Sequence, residues 1–600
     1  MIKNYFKTAF RNLKRNSSYA LINISGLAIG IAACLLIFLV IQFETSFDNF
    51  HKKKHSIYRV GSIRNTQDGV SYSTGVAFPV AGGLKIDFPQ LKEVASIFRS
   101  GDDQVTMEGL APGQLRKFQM DVYFAEPEFF NMFDFTWLAG TAKTSLTEPN
   151  SAVLTQEMAE KFFGDWPSAI GKTIKRNNRN QEVYKVTGIL KNMPVNTDFP
   201  LGVVLSYSSL KNTFVSGNLT DWVSTWSGAT TYVILSDNYS VNTFNSQLLE
   251  FAKKHKLADY AKDAYIAQPL TDIHYNSDFS NYRGHIFSKS LITALSLIGI
   301  FLLVIACVNF INLATAQAVN RSKEVGVRKV MGSNRRQLTF QFLSETALLT
   351  MASLVFAVII ATIALPFLNQ LLELKMSMAM LYIPTTILFL LAVTILVTIL
   401  SGLYPAIILS GFNPITALKS KITNKMVGGI TLRRGLVVLQ FCIGHVLIIG
   451  TLIVVSQMNY FSKASLGFDK AAIVNVSLQS DSASHSKIDF LRNRLLANPD
   501  IKNVSFSFAS PSANGNWSSD FKYDNAAKNT NFEAALKWAD TAYFKTYNIQ
   551  FAAGRPYHPG DTVTELVVNE TLLKKLGVTN PDEAIGKTIN FWDGGKIAPI

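Results

Sequence analysis

The chain has 600 residues, 48% of them apolar, with 16% charged residues and a formal net charge of +15. So apolar a composition argues against an ordinary soluble enzyme, and the length allows several domains. The three cysteines, Cys34, Cys307 and Cys442, all fall inside apolar runs, so the sequence offers no disulfide framework.

Residues 1–19 carry five bases and no acid. Tyr5, Phe6, Phe10 and Leu13 share one helical stripe, which predicts an interfacial helix on an anionic inner leaflet. Five runs then follow at 20–43, 291–318, 347–372, 381–412 and 435–458, each free of Asp, Glu, Lys and Arg. A crossing of the hydrocarbon core needs about 20 such residues, so the chain reads as a polytopic membrane protein. The first run is too long for a secretory signal and reads as an uncleaved anchor. Gly26 and Gly30 lie four apart on it, a spacing that lets helices approach closely. Asn309 and Asn312 in the second run, and Gln440 and His445 in the fifth, are expected to hydrogen-bond between helices.

Residues 1–19, 316–341 and 411–434 each carry +5, which together make up the whole net charge. Threading five spans puts all three on one side, which the positive-inside rule makes the cytoplasm. The basic excess therefore reports topology and gives no reason to expect a nucleic-acid partner. The same threading places 44–286 and 459–600 outside. There "VYKVTGIL" and "TTYVIL" read as strands, "QEMAEKFF" and "NSQLLEFAKKH" as helices, and "RNTQDGVSYSTG" and "SDSASHSK" as loops.

The two outer regions repeat each other. "AEPEFFNMFDFTWLAG" (125–140) has a counterpart in "ADTAYFKTYNIQFAAG" (539–554), and Gly-Lys-Thr-Ile recurs at Gly171 and Gly586. This spacing predicts a duplicated architecture whose second half is truncated, with a complete protein of roughly 800 residues and eight spans. The Gly-Lys-Thr triplets are not phosphate loops. The required first glycine would stand at 166 or 581, where the chain has Trp166 and Pro581, so each is expected to be a turn before a strand. No metal-ligand spacing and no nucleophile–base pattern stands out; His51 and His55 are the only histidine pair at helical spacing.

The segment "RSKEVGVRKVMGSNRRQL" (321–338) lies between the second and third spans. Arg321, Arg328 and Arg335 recur every seven residues, with Lys329 and Arg336 beside them, and Val327, Val330, Met331 and Leu338 fall opposite. Gly332 suits a position just past a helix end, and Asn334 with Gln337 resembles a helix cap. Two helices are expected to meet at a corner whose apolar side buries against the bilayer or a docked protein.

These residues resemble the signature of the FtsX-like permease domain, with Glu324, Gly326, Arg328, Lys329 and Gly332 at its acidic, basic and glycine positions. "LYPAIILSGFNPITALK" (403–419) is similar to that family's fourth-span exit at Tyr404, Pro405, Ala406, Pro414 and Leu418. "AFRNLKRNSSYALINISGLAIGIA" resembles the start of the MacB-type permease core. The resemblance implies an α-helical polytopic membrane protein with large mixed α/β extracytoplasmic domains. Its parts would be TM1 at 20–43, TM2 at 287–318, a coupling turn at 319–341, TM3 at 342–372, TM4 at 381–412, a linker at 411–434 and TM5 at 435–458. The outer regions 44–286 and 459–600 would be MacB-like periplasmic domains, the second incomplete.

The same resemblance implies a non-enzymatic permease subunit of an ABC transporter in a bacterial inner membrane, with its N-terminus cytoplasmic. A separate ATPase dimer would bind ATP and magnesium, and this chain would bind no cofactor. The two halves would form an internal pseudo-dimer, with the lipid bilayer around it and a periplasmic adaptor and outer-membrane channel as candidate partners. ATP hydrolysis would then drive the outer domains by mechanotransmission to export a substrate. The alternative is a signalling or scaffold protein that regulates a periplasmic partner.

Overall fold

The computed structural model describes residues 11, 15, 17–67, 69–108, 114–177, 182–256, 263–411, 430–478, 482–513, 517–560, 562–591 and 597–600. The N-terminal stripe of Tyr5, Phe6, Phe10 and Leu13, most of the 411–434 linker, and Pro414 and Leu418 lie outside the described residues.

Among the described residues, five helices are long and apolar enough to cross a membrane. They are Ser17–Glu44, Lys289–Val330, Arg335–Leu372, Pro384–Gly411 and Ile430–Lys463. All but Pro384–Gly411, which lies within its run, begin or end beyond the charge-free run, because apolarity marks the part that lipid must cover whereas a helix stops where its backbone is capped. The first four pack together. Leu27, Ile31, Leu303, Phe310, Leu349 and Val397 meet in their shared core. Phe38 stacks on Phe389 with ring centroids 3.8 Å apart. Half of the first span's most apolar stretch is buried inside the protein but only 6% of the fifth's, so the fifth span's surface faces outward almost all round.

The segment 319–341 is mostly helix. The second span continues without a break to Val330, since Arg, Lys and Glu are sound helix formers and Gly326 alone costs only about 1 kcal/mol against alanine. The corner is confined to the few residues before Arg335. Gly332 takes φ +96°, and the Asn334 and Gln337 side chains accept from each other's backbone N–H at 2.9 and 3.0 Å. That reciprocal cap starts the third span.

Between the first two spans an eleven-stranded mixed sheet is built. Its main path runs Ala264–Pro269, Ile57–Thr66, Ala229–Ile234, Glu93–Glu108, Leu115–Ala125, Val203–Ser206, Ser151–Thr155, Val183–Leu190, Trp137–Ala139. Ala229–Ile234, Val203–Ser206 and Ser151–Thr155 are buried at every position, as strands covered on both faces should be. The aromatic-rich "EFFNMFDF" contributes Phe129, Phe130, Phe133 and Phe135 to one core with Phe199 and Tyr232. The helices Gln156–Phe163 and Val241–His255 fall where the periodicity places them. "RNTQDGVSYSTG" differs from expectation: Ile57–Thr66 pairs with Gly69–Ser73 as a hairpin, helped by Gly69 at φ +113°. "SDSASHSK" likewise contains a helical turn at Ser482–His485.

The second outer region has a two-stranded and a three-stranded sheet. Three glycines recur in it with the backbone of their counterparts: Gly140 and Gly554 at φ +77° and +73°, Gly164 and Gly577 at +93° and +79°, Gly171 and Gly586 at +83° and +82°. Gly171 and Gly586 each follow a short 3-10 turn and precede a strand, Thr173–Arg176 and Thr588–Phe591. A phosphate loop would lead into a helix instead. The two outer regions touch through Arg64 with Glu533, through Gln67 N–H donating to Asn531 O at 3.0 Å, and through Trp226 edge-on to Trp517.

Candidate functional site

The predicted coupling residues gather at the C-terminal end of the second span's helix, away from the α/β domain. Arg328 is ion-paired with Glu324 one turn earlier. Lys329 has its pKa lowered by partial burial and then by the nearby Arg335 charge. Gly326 is buried, Val325 packs with Leu338, Phe342, Ala406 and Leu409, and Gly332 forms the corner. Leu338 therefore parts company with the apolar side assigned to it: it starts the next helix and points inward. Val327, Val330 and Met331 stay 45%, 67% and 73% exposed, an apolar patch at the tip of a charged corner.

Beneath that corner, Arg321 donates to Glu345 on the third span at 2.6 Å and its guanidinium lies 5.7 Å from the Tyr19 ring of the first. Pro405 lines the same crevice, while Tyr404 is one residue away on the fourth span. Both belong to the interior of the Pro384–Gly411 helix rather than to its end.

Of the glycine pair, Gly30 sits against the second span, where a Cβ would come within 2.5 Å of the Ala306 side chain. Gly26 has no neighbour within 4 Å of such a Cβ and so is not a packing residue here. The expected interhelical hydrogen bonds are also not formed by His445, whose Nδ1 bonds to Phe441 O on its own helix at 2.7 Å. The Asn312 side-chain oxygen is buried without a partner.

At the outer ends of the first two spans lies a polar cluster that sequence spacing did not reveal. Glu44 ends the first span with its side chain fully buried. His274 Nε2 is 2.7 Å from Glu44 Oε2, and His285 Nε2 is 3.2 Å from Oε1. His274 Nδ1 lies 3.2 Å from Asp198, which also accepts from Asn281 Nδ2 at 2.9 Å. Burial pulls the His274 pKa down, but its hydrogen bonds to Asp198 and Glu44 outweigh that and raise it to about 9. Burial, and then the charge of Asp198, push Asp48 up to about 7. His274 stacks on Phe47 with centroids 3.7 Å apart, and Ser288 caps the second span three residues beyond His285. His51 and His55 do not combine: His51 Nδ1 accepts from Asp134 N–H at 3.0 Å in the core, and His55 is exposed.

Long apolar helices with a large α/β domain inserted between the first two define a polytopic membrane protein. Residues 20–251 match the MacB-like periplasmic core domain, and residues 296–414 match the FtsX-like permease C-terminal domain. The chain belongs to the MacB/FtsX-type ABC transporter permeases. A search of curated proteins gives no match. Among solved structures it is similar to a domain of a permease protein from Porphyromonas gingivalis, at 17% identity, TM-score 0.32, covering 41% of this chain and 98% of that one. It is also similar to the extracellular domain of the noncanonic ABC-type transporter YknZ from Gram-positive bacteria. That likeness has 15% identity and TM-score 0.25, and covers 35% of this chain and 99% of that one.

Proposed function

We propose that this permease is a mechanical transmitter, which couples a separate cytoplasmic ATPase dimer to movement of its outer domains. The observation that carries this reading is the Lys289–Val330 helix. At 1.5 Å per residue its 42 residues make a rod of about 60 Å, longer than a hydrocarbon core of roughly 30 Å. One end is tied to the outer domain near His285 and the other to the charged corner at Gly332. An axial or tilting push at the corner therefore reaches the outer domain without a hinge between them.

The exposed Val327, Val330 and Met331 beside Arg328 and Lys329 suit a groove with an apolar floor and an acidic rim on the ATPase. On this reading ATP and magnesium are held by the ATPase, the basic segments face the cytoplasm, and the outer domains act on an extracytoplasmic substrate that is exported. The three glycine pairs with matched positive φ support two halves of common design that form an internal pseudo-dimer. The outward-facing fifth span suits a second helical bundle packed around it.

Reversing Arg328 and Lys329 to glutamate in a reconstituted complex is expected to abolish substrate-stimulated ATP turnover while membrane insertion is retained. Turnover at the level of the unaltered complex would refute the corner as the contact.

A further inference from the structure

We propose that Glu44, His274 and His285 form a zinc(II) site at the outer membrane boundary, where the first and second spans enter the outer domain. The ligand atoms of the three lie within 4.8 Å of one another, and they come from three separate stretches of chain. Two imidazole nitrogens and one carboxylate are a donor set of the borderline-soft kind that zinc favours over magnesium or calcium, which prefer all-oxygen sites.

The partners of His274 also fit a metal on its Nε2 side. Both nitrogens of His274 face carboxylates: Nε2 faces Glu44 and Nδ1 faces Asp198. A protonated imidazole can donate to both carboxylates, and a zinc(II) ion would take the place of the Nε2 proton between His274 and Glu44. Bound on the Glu44 side, the ion leaves the Nδ1 proton for Asp198. That arrangement is the carboxylate–histidine–metal relay that orients metal-bound histidines, and Asn281 holds Asp198 in turn. The same cation would also satisfy His285 Nε2, which shares the Glu44 carboxylate.

Access is provided for. Glu44 and His274 are shut away, whereas the His285 side chain is 37% exposed and gives an entering ion a path and a solvent-filled fourth position. The ion would join the last residue of span one to the strap that leads into span two, fixing the two stalks to each other. Among the described residues the remaining histidines form no comparable group.

The test uses the full chain, without a histidine tag, purified in detergent, stripped with chelator and dialysed against zinc. Elemental analysis is expected to give about one zinc per chain, with cobalt(II) producing the visible absorption of a four-coordinate N/O site. His285→Gln, at the exposed edge, is expected to lose the zinc while its circular dichroism is unchanged, and His558→Gln to keep it. Asp198→Asn is expected to weaken affinity about 10- to 100-fold. Zinc content near zero in the unaltered chain, or zinc retained by His285→Gln and Glu44→Gln alike, would overturn the proposal.

Discussion

Arg321 on the second span and Glu345 on the third meet at 2.6 Å with side chains only 14% and 8% exposed. An ion pair so placed joins the helix that carries the corner to the helix that follows it. Its value lies in what happens when one partner is lost, since an uncompensated buried charge is costly whereas a balanced apolar replacement is often neutral. Arg321→Met is expected to destabilise the protein by about 3–5 kcal/mol, and the double variant Arg321→Met with Glu345→Leu to recover most of that. Thermal unfolding in detergent checks it; additive losses would mean the two residues do not act as a pair.

A second buried ion cluster fixes the outer sheet. Arg176 reaches Asp103 with two nitrogens at 2.7 and 3.1 Å, pairs with Glu182, and is 2% exposed. Arg176→Met leaves two carboxylates confronting each other, and a loss of about 3–5 kcal/mol is expected. Denaturant unfolding followed by tryptophan fluorescence reads it; a loss below 1 kcal/mol would show that the strands hold without this clasp.

Gly30 and Gly26 give a matched pair of opposite outcomes. A methyl at Gly30 would press on Ala306, so Gly30→Ala is expected to cost about 1–3 kcal/mol through strained packing of spans one and two. Gly26→Ala meets open space, and the unfolding midpoint is expected to stay within a degree or two. Equal effects at the two positions would contradict the packing described.

The outer domain should weaken in acid through His51. Burial lowers its pKa to about 4, from about 6.5 in an unfolded chain. The unfolded chain therefore binds a proton that the folded one refuses. The stability is fully present above pH 6.5 and is lost as pH falls toward 4, by up to about 3 kcal/mol. His51→Asn keeps an acceptor for Asp134 N–H and removes the titration. It is expected to flatten the stability–pH curve between pH 6.5 and 4, and an unchanged slope would assign the effect to other groups.

The sequence carried the spans and the corner because both are local. Charge-free runs mark lipid, and Gly332 with Asn334 and Gln337 marks a stop and a new start. It did not carry the continuity of the second span's helix, since it predicts a separate cytoplasmic turn from 319, whereas the amphipathic helix before Gly332 is the same helix as the span. Nor could it carry the junction cluster. Glu44 stands 230 residues from His274 and 241 from His285, so only folding brings them together. The one local hint was an acid at the end of an apolar run and two histidines shortly before the next.

The central claim is that one unbroken helix conveys motion between the ATPase side and the outer domain. Replacing Ala316 and Gln317 with glycine puts a soft joint of about 2 kcal/mol propensity cost into that rod without touching either end. In the reconstituted complex with its ATPase, the account predicts that this variant still binds the ATPase and loses substrate-stimulated ATP turnover. Stimulation undiminished across the softened helix would contradict it.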